Sequence, residues 1–213
     1  MTYISYPVFP YSIKPLNVIN KKITHKRRFI GKSWQKEYYY YIEQEKYSAS
    51  LQFNFETYDE METIKQFFLD RQGRAKLFWL PTWNNDLIPI TTALSGTTKI
   101  KLEQEFFHIY KFIKRPLVIY LPTENFITYV VDIQEVYDNT LNKIVDELTL
   151  ADALPTTLDP QTCKPLQFLF LGRFQADTIT FNFIDLVRGQ CSVEFEELSR
   201  IDYKLYALQV MVF

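Results

Sequence analysis

TYDEMETIKQFFLDRQGRAKLFWLPTW, residues 57–83, reads as a capped helix, a glycine stop, a short strand and a proline-aromatic corner. Thr57 and Glu60 are spaced for a capping box, in which the threonine oxygen accepts from the third helical N–H and the glutamate reaches back. Tyr58, Met61, Ile64, Phe67 and Phe68 fall on one broad helical arc with Leu69 at its edge. Asp59, Glu62, Thr63, Gln66 and Asp70 take the other side. Gly73 stands where a left-handed C-cap belongs, and Arg71 and Arg74 suit the negative end of the helix dipole. Ala75–Leu80 then reads as strand, closed by Pro81. The segment shows no chemistry and predicts a helix laid over a sheet.

Upstream, residues 1–20 carry Pro7, Pro10 and Pro15 among aromatics, which predicts an extended arm. Lys21–Lys32 is a basic cluster, and Tyr38–Tyr41 is a run of four tyrosines that favours strand. Leu51, Phe53 and Phe55 alternate with Gln52 and Asn54, as in a strand with one buried face. Downstream come short strands between polar turns. Residues 98–102 alternate, Leu117–Leu121 is an apolar run, and Ile127, Tyr129, Val131 and Ile133 are expected on one face. Asp138-Asn139 signals a turn, with Ile144–Leu150 returning antiparallel, and Ala153–Lys164 reads as a linker. Leu166–Leu171 suits a strand covered on both faces. Ile179, Phe181 and Phe183 alternate, Arg188-Gly189-Gln190 reads as a hairpin turn, and Cys191, Val193 and Phe195 face inward on the returning strand. These signals predict a mainly β chain: an antiparallel β-sandwich with one helix packed on it, plus an inserted small β-barrel or second sheet. Residues 1–83 with 165–213 form the sandwich, and residues 84–164 the insert.

Composition narrows the function classes. A formal charge of −1 argues against a general nucleic-acid binder. Five well-separated glycines supply no phosphate-binding loop, and two cysteines make no disulfide framework. Residues 1–12 lack the pattern of a signal peptide, and no apolar run has the ~20 residues that cross a bilayer. The 17% aromatic fraction, with 15 tyrosines, suits interfaces as well as cores.

Two chemical alternatives follow from residue types. Glu194 and Glu196 share one strand face roughly 7 Å apart, which overlaps the spacing of an inverting glycosidase pair. The plainer reading is a solvated face opposite the core-facing Val193 and Phe195. The segment KKITHKRRFIGK beside the tyrosine run has the ingredients of a single-stranded nucleic-acid surface, basic groups next to stacking rings. A solvated edge guarded by lysines is the competing account. His25 and His108 have no metal-ligand spacing to each other or to Cys163 and Cys191. Neither a catalytic site nor a cofactor or metal is expected.

Phe67–Arg74, running on to Phe78-Trp79-Leu80-Pro81-Thr82-Trp83, resembles the FF-x-x-R-x-G-R … F-W-L-P-x-W stretch of tailed-bacteriophage virion proteins. Phe168–Leu198, in which Gly172-Arg173-Phe174-Gln175-Ala176-Asp177 leads into Ile179–Phe183 and ends in Glu196-Glu197-Leu198, is similar to the closing strands of the same proteins. The resemblance covers about half the chain; the basic segment and the tyrosine run lie outside its pattern. It implies a tail-tip or baseplate component of the distal-tail type, a ring subunit joining the tail tube to the hub and host-binding apparatus. It would be assembled in the host cytoplasm and reside in the virion. Its expected partners are copies of itself and the tube and hub proteins, with no small-molecule substrate and no membrane. The candidate subunit-interface residues are Tyr3, Tyr6, Phe9 and Tyr11 in the arm, and Leu205, Tyr206, Leu208, Val210 and Phe213 at the other end.

Overall fold

Alternating apolar residues and a single capped amphipathic segment give this chain twelve strands and one α-helix among the residues described by the computed structural model, which are 6–22, 26–29, 38–41, 46–103, 117–161, 166–185 and 187–198. In order they are β1 (Asn17–Lys22), β2 (Lys26–Phe29), β3 (Tyr38–Tyr41), β4 (Lys46–Phe55), α1 (Tyr58–Asp70), β5 (Phe78–Pro81) and β6 (Lys99–Leu102). They continue with β7 (Val118–Leu121), β8 (Phe126–Asp138), β9 (Lys143–Leu150), β10 (Gln167–Phe174), β11 (Thr180–Phe183) and β12 (Gly189–Glu197). The fold is mainly β and antiparallel, with one helix packed on a sheet. Two compact units form: Met1–Phe78 with Leu171–Phe213, and the inserted Trp79–Phe170.

In the first unit β12 is the central strand. It pairs with β4 from Gly189↔Phe55 to Glu196↔Ser48, and β1 pairs with the far side of β4. The other edge of β12 is shared: β10 covers Phe195–Glu197 and β11 covers Gly189–Ser192. The inward residues are those the alternation predicts: Leu51, Phe53 and Phe55 on β4, and Cys191, Val193 and Phe195 on β12, are all buried. Helix α1 lies on this face through Met61, Ile64 and Phe68. Tyr58 and Leu69, placed on or beside the apolar arc from sequence, are exposed, because the buried stripe is narrower than the arc. Aromatic rings fill the space between helix and sheet, with Phe174 4.9 Å from Phe68 and 4.6 Å from Phe78 between ring centres.

The ends of α1 differ in fidelity to the expectation. Glu60 N–H donates to Thr57 Oγ1, and the Glu60 carboxylate accepts from Glu56 N–H, one residue before the usual position. At the other end the left-handed conformation begins at Gln72 (φ 54°) and continues at Gly73 (φ 58°). Arg74 turns away from the helix end, and it is Lys76 Nζ that donates to Asp70 O. Residues Gly73–Ala75 form a short 3-10 turn, so the strand starts at Phe78 rather than at Ala75.

The second unit runs from the first half of β10 through β7, β8 and β9 to β6, and β5 also pairs with β10. This strand order is open, so the insert is not a closed small barrel. Its core includes Leu87, Ile100, Ile119, Leu148, Leu154 and Leu166. The stretch expected as a linker contributes here: Leu154 and Leu158 are buried, and Leu158 exchanges two backbone hydrogen bonds with Ala93. The period-2 expectation for β8 fails midway. A bulge between Val130 and Asp132 shifts the phase, so Thr128, Val130 and Ile133 are buried while Val131 is exposed. Asp138 closes the β8–β9 hairpin by accepting from the N–H groups of Thr140 and Leu141 and from Lys101 Nζ at 2.7 Å.

Candidate functional site

Within the first unit, the end of α1 and the loop after β10 meet. Gly73 packs so closely on the loop after β10 that an added Cβ would lie 2.8 Å from the Asp177 Cα. Asp177 accepts from Arg74 N–H at 3.1 Å, and its other oxygen pairs with Arg74 Nε at 2.9 Å. Gly172 lies against the neighbouring strand, where a Cβ would overlap Glu196 O and the Phe195 ring. Phe67, Phe68, Phe78 and Phe174 join these two contacts into one aromatic body. The motif residues thus form a clasp between the end of α1 and the interrupted edge of β12.

A few residues further on, the same face opens to solvent. The row of rings Phe53, Phe55 and Phe181 has centre spacings of 6.3 and 6.0 Å. It leads from the core to Phe183, Ile184 and Val187, which are 61%, 63% and 52% exposed. The turn that carries them is held firmly. One Asp185 oxygen accepts from Val187 N–H and Arg188 N–H, and the other accepts from Arg188 Nε at 2.6 Å. These donors, the two backbone N–H groups first, lower the Asp185 carboxyl to a pKa of about 2. The turn lies at residues 184–188, slightly before the position read from sequence, and Gly189 already belongs to β12. Of the alternating apolar residues, Phe183 is exposed, at the end of β11.

The arm residues fall differently from expectation. Phe9 is fully buried in its own unit, with its ring stacked 5.6 Å from Phe53 and 5.1 Å edge-on from Phe67. It is therefore a core residue, corrected from an interface residue: an aromatic ring lacking a polar atom gains most where other rings enclose it. Tyr6 and Tyr11 are half-buried. Tyr3, Leu205, Tyr206, Leu208, Val210 and Phe213 lie outside the described residues, as do His25, His108 and Cys163.

Glu194 is exposed and Glu196 half-buried on the outer face of β12, opposite Ser50 and Ser48. Arg173 stands beside Glu196 across the β10 pairing. An open groove of about 530 Å³ lies elsewhere, along Pro10, Asp59, Glu62, Thr63, Gln66, Phe67 and Asp70 on the polar side of α1. Burial pushes the Cys191 thiol up to about 12, which leaves it protonated and unreactive near neutral pH. Among the described residues no group of three or more His, Cys, Asp or Glu is placed to hold a metal ion, and no helix is long and apolar enough to cross a membrane. The basic and tyrosine segments do pair: β2 and β3 are in register from Lys26↔Tyr41 to Phe29↔Tyr38.

Sequence reasoning identified the clasp residues as motif positions without showing that they touch. It missed the exposed hairpin end, whose signal was the apolar sequence Phe183-Ile184 continuing past the strand into a turn. No protein-family model matches the chain, and no curated protein matches its sequence.

Proposed function

We propose that this chain is a structural component of a phage tail tip or baseplate, a distal-tail-like ring subunit that joins the tail tube to the hub and host-binding apparatus. The observation that carries the reading is that parts of both family-like stretches, Gly73-Arg74 from one and Ala176-Asp177 from the other, meet at the Gly73–Asp177 clasp. The apolar hairpin end supports it, since a ring subunit needs exposed contact surface on a rigid support. On this reading the partners are copies of the same chain and the tube and hub proteins, and the protein resides in the virion. Symmetry-resolved imaging of tails from particles encoding the chain, with mass spectrometry of purified virions, tests it. A ring of this subunit at the tail tip is expected; absence of the chain from particles overturns the proposal. The glycosidase alternative is tested separately. Purified protein is expected to leave peptidoglycan intact, and clearing abolished by Glu194→Gln or Glu196→Gln would establish an enzyme instead.

A second reading rests on the β2–β3 register, which sets basic positions 26–28 opposite Tyr39–Tyr41. A paired basic and aromatic ribbon suits single-stranded nucleic acid. The structural proposal predicts no complex at physiological salt. A micromolar complex with single-stranded DNA that weakens steeply as salt rises, through counterion release, would favour the second reading.

A further inference from the structure

We propose that the β11–β12 hairpin end of one copy receives residues 199–213 of a neighbouring copy, which add along the outer edge of β11. The inference deepens the assembly reading above and rests on it.

Three observations carry the choice of surface. Among the described residues β11 pairs only with β12, so the edge opposite β12 is the one that a further strand would join. The strand, Thr180–Phe183, has no lysine, proline or other device that normally guards an edge against pairing. The turn beside it exposes Phe183, Ile184 and Val187 while Asp185 fixes its backbone, so little ordering cost remains for a partner to meet.

The occupant follows from the chain that leaves the same unit. Leu198 N–H donates to Leu171 O at 3.0 Å at the far end of β12, and SRIDYKLYALQVMVF follows. From Leu205 onward this segment carries no charge and places apolar residues at both odd and even positions. A strand made from it would need cover on both faces. Extended, its fifteen residues reach about 50 Å. Donor and acceptor lie at opposite ends of one strand: Gly189 at the hairpin end and Glu197 at the exit are roughly 26 Å apart at ordinary strand rise. Docking on its own β11 would require the segment to reverse and run back over most of that distance. Docking on the next copy requires no reversal and links copies head to tail, the contact type that generates rings.

The test uses full-length protein in a Cys163→Ser background. Differently tagged copies carrying Asn182→Cys or Leu208→Cys are mixed and oxidised, and a disulfide joining the two tags is expected. A double variant that closes only within single chains, with no joined tags in the mixture, overturns the proposal. Sedimentation supplies the second readout. Phe183→Glu with Val187→Glu is expected to weaken self-association about tenfold or more, with the melting temperature unchanged, because both side chains are already exposed in the free subunit. Should Phe183→Glu melt early, Ile184→Lys at the more exposed neighbour reads out the same surface. Self-association unaffected by these charges sinks the docking surface while leaving the ring reading in place. A wild-type chain that stays monomeric at all concentrations overturns the docking, and its absence from particles overturns the ring reading.

Discussion

Gly73 and Gly172 are fixed by different physical demands, and substitution separates them. Gly73 combines a left-handed backbone with the Asp177 approach, so Gly73→Ala strains the turn and parts the clasp at once. Gly172 has no positive φ; its constraint is the neighbouring strand, and Gly172→Ala is expected to destabilise by about 1–3 kcal/mol through overpacking. Chemical denaturation measures both. The Arg74–Asp177 pair is largely exposed, so Arg74→Ala should cost no more than about 1 kcal/mol. Carboxylates titrate in opposite senses. Burial raises Asp86 despite hydrogen bonds from Thr82 and Phe168 N–H, so its contribution is complete below the ordinary carboxylate range and is lost as pH rises through the raised value. Lys101 first, then the Leu141 N–H, lowers Asp138, whose contribution is present above the ordinary range and lost as pH falls through its folded value. Asp86→Asn should therefore remove a decline in stability on the alkaline side of the ordinary value, and Asp138→Asn a decline on the acid side. Melting temperature against pH for the two variants checks the signs. A glycine at position 73 announced a turn in the sequence, but the need for glycine at 172 did not show there, because it arises from a strand more than twenty residues away.

At the scale of elements, α1 and its supporting strands were legible because their signals are local. The cap, the apolar spacing and the alternation of β4 and β12 each lie within about ten residues. Phe68→Ala should cost roughly 3–5 kcal/mol by removing a ring that packs on Phe174, whereas the exposed Tyr58→Ala should stay within about 0.5 kcal/mol. Comparable losses at the two positions, measured by urea denaturation, would mean that the helix buries a different face. What failed was phase and support. Val131 was expected on one face with Ile133 because period-2 counting assumes an unbroken ladder, and the bulge at Val130/Asp132 breaks it. Leu154 and Leu158 looked like linker because proline and threonine surround them; Leu158 pairs with Ala93, and Leu154 with Gly96 and Thr97, some sixty residues earlier.

At the scale of the whole chain, the sequence showed a mainly antiparallel β protein with one helix. It did not show that Phe9 is enclosed by rings from β4, α1 and the far side of the insertion. Proline and aromatic content cannot distinguish an arm that reaches a neighbour from one that closes its own core. The Phe9 site also has a consequence for biosynthesis. Phe174 and Phe195, which complete this core, leave the ribosome only after all of Trp79–Phe170 has been made. At ordinary translation speed those roughly ninety residues take about 5–20 s. Throughout that interval the nascent chain holds Phe9, Phe53, Phe55 and the inner face of α1 without their closing strands. The inserted unit, except for its β10 strand, can be emerging and pairing while the flanking unit still waits. Nascent chains stalled before residue 171 should therefore bind hydrophobic-surface chaperones more strongly than chains stalled beyond residue 198, and crosslinking on arrested ribosomes would time the closure.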